Sequence, residues 1–350
     1  MPINSNHKVS VIIPTFNRAE LIGDSIRSAL AQTYANLEVV VVDDGSDDDT
    51  EQVIATIIDP RLRYVRQPNR GRSNARNHAL SLATGYYVSF LDSDDLYLPE
   101  KIERQVEYLQ NHPWTGMVYT SAQCIDQQGN LLEHKYQATV SGLIYCEIAF
   151  FLPVTITLPT VMTYRRIFDY VGGFDEEMYR FEDTDMWRRI SKICRIDAIP
   201  DVTCLLRTHD DTTLINQDPE KIVFALNYYA KKIAIEDDDI NLDVRRRGLA
   251  GLYRYYGYAL CSVPSFVDHG AGLLRQASEF EDARSIPMLE EECGLAVCHG
   301  GAPKSTLRRF RDAFLTTVKR RAGFRFAYRR VRAVASRIYR EFKQRLAKYS

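Results

Sequence analysis

Three times in the first hundred residues a run of β-branched and aromatic residues stops abruptly on polar or acidic ones. Val9-Ser-Val-Ile-Ile ends on Pro14 and Thr15, Val39-Val-Val-Val ends on Asp43-Asp44-Gly45, and Tyr86-Tyr-Val-Ser-Phe-Leu ends on Asp92-Ser93-Asp94-Asp95. Short apolar runs of this composition predict buried strands. In open α/β sheets the carboxyl ends of the strands are where ligands bind. Three carboxylates within four residues repel one another unless something cationic lies between them. A hard divalent ion, Mg²⁺ or Mn²⁺, carrying a substrate's phosphates would supply that charge.

Between these runs the periodicity switches to helical. Strands are expected over 8–14, 37–42, 62–66 and 86–91, with helices over 19–32, 49–58, 73–83 and 99–111. Repeated β-α-β order implies an α/β fold with a mostly parallel sheet flanked by helices. Later strands are expected over 160–164 and 202–209, with a helix over 184–193 between them. Beyond residue 215 only helices are expected, over 219–235, 242–260 and 270–280. The Tyr-rich stretch 252–258 reads as a packed helix face. The expected organisation is therefore a first domain over 1–215, a helical extension over 216–302 and a basic amphipathic tail over 303–350.

The formal net charge of −1 conceals an asymmetry. Residues 303–350 carry sixteen Lys and Arg against Asp312 and Glu341, a net of +14, and residues 1–302 carry −15. Val331, Val334, Ile338 and Phe342 follow one helical face with Arg332, Arg337, Arg340 and Arg345 around it. Such a helix suits an anionic membrane surface, or the protein's own acidic body. No recognition motif accompanies the charge, so nucleic acid is not expected as a partner. Seven scattered cysteines fit free thiols in a reducing compartment. The polar start and the absence of any apolar stretch near ~18 residues lead to the expectation of a cytoplasmic protein, peripheral on the membrane if the tail binds there.

Four further segments carry chemistry. Asp43 and Asp44 stand where a nucleoside would be held, and Ser46 or Asp47 is expected to cap the next helix. Asn69-Arg-Gly-Arg-Ser-Asn-Ala-Arg-Asn77 opens a helix with Arg70, Arg72 and Arg76 as fixed forks for phosphate or carboxylate. Glu182, Asp183 and Asp185 cluster at another helix start, where negative charge is favoured. They could cap it, or bring a general base to an acceptor hydroxyl. Arg207 and His209 point to the same face of the last strand.

In this order the motifs V-S-V-I-I-P-T-F-N-R (9–18), V-V-V-D-D-G-S-D-D-D-T (40–50), N-R-G-R-S-N-A-R-N (69–77), F-L-D-S-D-D (90–95), G-G-F-D-E (172–176), F-E-D-T-D-M-W-R-R (181–189) and R-T-H (207–209) resemble the family 2 glycosyltransferases. The resemblance covers residues 8 to about 210. It implies the nucleotide-diphospho-sugar-binding GT-A fold and an inverting, metal-dependent glycosyl transfer. The donor would be a nucleotide-sugar, UDP-linked, and the acceptor a saccharide or lipid-linked saccharide, in surface polysaccharide, lipopolysaccharide or glycolipid synthesis. Pro14, Thr15, Arg18, Asp43, Asp44, Arg70, Arg76, Asp92 and Ser93 would line the donor site. Asp94 and His209 would hold the Mn²⁺ or Mg²⁺. Asp183 matches the family's catalytic base, with Glu182 as its rival. One departure is Gly71-Arg72, where the family pattern has two small residues. The alternatives are a sugar nucleotidyltransferase and a non-catalytic nucleotide-sugar-binding protein of the same fold.

Overall fold

The computed structural model describes residues 7–151, 154–209 and 217–280. They divide into two compact units, the first drawn from 7–145, 154–177 and 182–209, the second from 146–151, 178–181 and 217–280.

The first unit is built on nine strands, β1 (Val9–Thr15), β2 (Leu37–Asp43), β3 (Leu62–Arg66), β4 (Tyr87–Phe90), β5 (Leu96–Tyr97), β6 (Thr115–Ile125), β7 (Leu131–Tyr136), β8 (Val161–Tyr164) and β9 (Arg195–Arg207). They form one sheet in the order β3-β2-β1-β4-β8-β6-β9-β5, with β7 paired to β6. β3, β2, β1 and β4 are parallel, as the β-α-β alternation requires. From β4 onward the sheet is mixed: β8 runs antiparallel to β4 and β6, whereas β6 and β9 are parallel. The helices are α1 (Ile22–Leu30), α2 (Thr50–Ala55), α3 (Arg72–Leu82), α4 (Lys101–Asn111), α5 (Tyr145–Ala149, where the two units meet in sequence), α6 (Phe168–Val171) and α7 (Glu182–Ile193). Spacing decides which face each helix buries: Ile22, Ile26 and Ala29 of α1, and Ile102, Val106 and Leu109 of α4, are all fully or nearly fully buried.

Two strands differ from the sequence reading. No element is expected over 115–125, yet every residue of β6 is buried. Its pattern is obscured by polar residues that find partners inside the sheet: Thr115 Oγ1 donates to Asp197 Oδ2 at 2.5 Å, and Thr120 and Thr203 share a hydroxyl hydrogen bond of 2.7 Å. β9 begins at Arg195, well before the expected 202, because Pro200 and Asp201 are accommodated where its register against β6 shifts.

The second unit is helical: α8 (Pro219–Glu236), α9 (Leu242–Cys261) and α10 (Val267–Glu279). Asp218 and Asn241 cap α8 and α9 by accepting backbone N–H bonds. α9 and α10 approach closely through glycine, since a Cβ on Gly270 would lie 2.6 Å from the Gly257 carbonyl oxygen. Tyr253 and Tyr258 are buried and Tyr255 is exposed. Among the described residues no helix is long and apolar enough to cross a membrane. The basic tail expected over 303–350 lies outside the described residues.

Candidate active site

The carboxyl ends of β1, β2 and β4 lie side by side in register, Thr15 opposite Asp43 and Ile12 opposite Phe90. Pro14 and Thr15 are buried at the end of β1, and the Thr15 hydroxyl has no protein partner. Beyond β2 the chain turns through Gly45 at φ 82°, where a Cβ would meet the Asn69 backbone nitrogen at 2.9 Å. That close approach fixes the next loop. Asp44 Oδ1 accepts from the Gln67 side-chain amide at 2.7 Å and from the Arg70 N–H at 2.9 Å, and its Oδ2 accepts from the Gly71 N–H at 2.7 Å. Gly71, at φ 90°, then starts α3. The Arg70 side chain itself is exposed.

Asp43 stands apart from the donor-site role expected for it. Its side chain is 0% exposed and both oxygens are taken by the protein. Oδ1 accepts from the Ser46 N–H at 2.9 Å and the Ser46 hydroxyl at 2.6 Å, and Oδ2 accepts from the Tyr64 hydroxyl at 2.9 Å. A carboxylate so filled shapes the 43–46 turn and has little left to offer a ligand.

The turn after β4 is built differently. Asp92 accepts from Arg76 Nη2 at 3.0 Å, and its side chain remains 34% exposed. Burial pushes the Asp92 carboxyl up, the Arg76 guanidinium pulls it back, and Asp94 adds to the rise. Asp94 Oδ2 lies 2.8 Å from His209 Nε2 and 3.7 Å from Arg18 Nε. Ser93 and Asp95 are buried. Asp95, whose carboxyl is pushed up by burial and by Asp92 and Asp94, accepts the Arg207 N–H at 2.8 Å. The Arg207 side chain donates to the Asp94 carbonyl at 3.1 Å and to the Asp126 and Gln127 carbonyls. Arg207, the last residue of β9, thereby fastens the acidic turn, and His209 follows just beyond the strand rather than within it as expected.

α3 ties this turn to the start of α7. Arg76 is nearly buried, donates through Nη1 to Glu182 at 2.9 Å, and leaves Nε without a protein partner. Arg72 grips Glu182 from the other side, Nε to Oε1 at 2.8 Å and Nη2 to Oε2 at 3.1 Å. On the next turn of α3, Asn77 pairs with the backbone of Phe174, accepting its N–H at 2.7 Å and donating to its carbonyl at 2.9 Å. A Cβ on Gly173 would sit 2.5 Å from Asn77 Oδ1, which explains the glycine there. Asn74 and Asn77 also donate to Glu176. Asp185 is spent on Arg188 and Arg189 within its own helix.

Asp183 is the carboxylate left over. Its Oδ1 accepts from the N–H and hydroxyl of Thr184, at 2.7 and 3.4 Å. Burial, with the charge of Glu182 added, pushes its carboxyl up to about 6 against the pull of Arg76. That places its ionised form within reach of neutral pH, where a general base works best. Sequence reasoning placed Asp92, Asp94, Arg76, Glu182, Asp183 and His209 in one site, and the fold brings them together. It passed over the holding roles of Gln67, Asn74, Asn77 and Arg207. Asn74 and Asn77 lie three apart on one helix face, a spacing that could have marked them.

No trio of His, Cys, Asp or Glu among the described residues is arranged to hold a metal unaided. Asp94 and His209, with Asp92 beside them, do fit a hard cation that keeps waters and takes its other ligands from phosphate oxygens.

The profile of glycosyl transferase family 2 matches residues 10–174. A glycosyltransferase of Rickettsia prowazekii is 31% identical over 223 residues, 60% of this chain and 67% of that protein. This chain belongs to the family 2 glycosyltransferases. Its Rickettsia bellii relative, also a glycosyltransferase, is 36% identical over 60% of this chain but 30% of its own length, so this chain spans less than a third of that protein. The Pasteurella multocida chondroitin synthase is 31% identical over 63% of this chain and 23% of its own. Among solved structures, S. aureus TarS 1–349 in complex with UDP-GlcNAc superposes with a TM-score of 0.57 at 20% identity, covering 96% of this chain and 92% of that one. The Pyrobaculum calidifontis mannosyltransferase PcManGT with GDP-Man and Mn²⁺ gives 0.56 at 21%, covering 89% and 87%. The chain thus has the fold of the GT-A glycosyltransferases with a helical region after it.

Proposed function

We propose that this protein transfers a sugar from a nucleotide-diphosphate donor, UDP-linked, to a hydroxyl of a saccharide or lipid-linked acceptor, with inversion at the anomeric carbon. The observation that carries this reading is Arg76, which joins Asp92 through one nitrogen and Glu182 through another. It sets a donor-side acid and a base-bearing helix on a single side chain.

Thr15, with its unpartnered hydroxyl, Pro14 and the Asp44-fastened loop form the nucleotide side. Arg18, beside Asp94, and Arg76, on Asp92, would bring positive charge to the diphosphate side. Asp94 and His209 would hold Mn²⁺ or Mg²⁺, which when bound neutralises charge on the leaving diphosphate. Asp183 takes the proton of the acceptor hydroxyl as its oxygen bonds to the anomeric carbon and the bond to the diphosphate oxygen breaks. Glu182, held by two guanidinium groups, is a poor competitor for that proton. Relatives named as polysaccharide synthases and neighbours bound to nucleotide-sugars support the donor and product classes. The basic segment 303–350 is proposed to place the enzyme at an anionic membrane surface where a lipid-linked acceptor lies.

The test is UDP or GDP release from a panel of nucleotide-sugars, with and without Mn²⁺ and Mg²⁺, for the wild type and Asp183→Asn. Transfer should fall about 10²–10⁴-fold in the variant, while calorimetry shows nucleotide binding intact. Near wild-type turnover by Asp183→Asn would remove Asp183 as the base. Release from GDP-sugars alone would replace the donor class.

A further inference from the structure

Directly after Gly71, at φ 90°, a guanidinium side chain opens α3. It belongs to Arg72, the first residue of α3, whose side chain is 55% exposed. Its guanidinium makes two bonds to the two oxygens of Glu182, at 2.8 and 3.1 Å. Arg76 adds a third bond to the same carboxylate. The side chain of Glu182 is 6% exposed, so it is a buried charge met by two positive ones. Two-pronged contacts of this kind fix orientation as well as charge.

We propose that Arg72 is a positioning residue of this chain: together with Arg76 it locks Glu182 in place and reserves for Asp183 the role of proton acceptor. The inference rests on the transfer reaction proposed above. The charges that act most strongly on Asp183 are Glu182 on its own helix and Arg76 and Arg72 on α3. Arg72 acts on Asp183 twice, directly as a positive charge and indirectly by cancelling Glu182. Both effects favour the ionised, proton-accepting form of Asp183. Removing Arg72 therefore leaves Asp183 beside a less compensated carboxylate and makes it hold its proton to higher pH.

The experiment follows the carboxyl carbon of Asp183 by ¹³C NMR during pH titration of the full chain labelled at aspartate. The resonance is assigned by its loss in Asp183→Asn, and the readout needs no substrate. The wild-type midpoint is expected near 6. In Arg72→Ala it should move up by about one unit, and in Arg72→Lys by about half of that or less. UDP release should follow: Arg72→Ala loses about five-fold at pH 6 and about two-fold at pH 7, and recovers by pH 8 to 9. An unmoved Asp183 titration in Arg72→Ala would overturn the proposal, as would an equal loss of turnover at every pH. Failure of the base assignment is separable, since it is read from turnover by Asp183→Asn.

Discussion

β2 runs into Asp43-Asp44 and β4 into Asp92-Ser93-Asp94-Asp95, and in sequence the two endings are nearly the same device. In space they are opposites. Asp43 and Asp44 between them accept six hydrogen bonds, all from neutral groups: the Tyr64 hydroxyl of β3, and the backbone or side chains of Ser46, Gln67, Arg70 and Gly71 in the loops they hold. Asp92 and Asp94 meet Arg76, His209 and, at longer range, Arg18. The first pair is consumed in making the loops. The second pair carries fewer protein donors, with Arg76 on Asp92 and His209 on Asp94, whereas Asp43 has Arg66 at 4.0 Å in addition to its three hydrogen bonds. What separates a scaffold acid from a ligand acid here is the number of protein donors already on it, a property that the apolar-run-plus-acid pattern does not encode.

That contrast can be broken by substitution. The largest effect belongs to Asp94→Ala, expected to lose about 10²–10³-fold in metal-supported turnover with the thermal midpoint little changed. Next is Asp43→Ala, which strands the Ser46 and Tyr64 donors and should cost about 2–4 kcal/mol in urea denaturation. Its turnover per folded molecule should fall far less than that of Asp94→Ala. If Asp43→Ala were fully stable yet unable to bind UDP by calorimetry, the two endings would be ligand sites alike. The smallest effect is Tyr64→Phe, which deletes one bond to Asp43 and should cost about 0.5–1.5 kcal/mol on the same urea curves.

The parallel half of the sheet was legible because β1, β2 and β4 are continuous apolar runs bounded by turn residues. β6 was not, because Thr120, Ser121 and Gln123 are buried polar groups whose partners come from β9, from Ala138 and from β7. The members of the site were legible as a set of motifs in order. Their division of labour was not: that Glu182 is clamped and Asp183 spared depends on Arg72 and Arg76, more than a hundred residues away along the chain. That Asp43 is filled by protein donors was hidden for the same reason, since Tyr64 lies in another strand and belongs to none of the recognised motifs.

The pairing of Asn77 with Phe174 joins points separated by 97 positions along the chain, and Asn77 directly follows Arg76. One turn of helix is therefore a common mount for the donor-side arginine and for the loop that leads toward the base. Of the intervening stretch, the exposed β7 hairpin can change its length or side chains without altering that spacing, whereas the 92–95 turn and the buried β6 cannot. A change confined to that hairpin therefore leaves the mounting of Arg76 and of the 172–176 loop as it is.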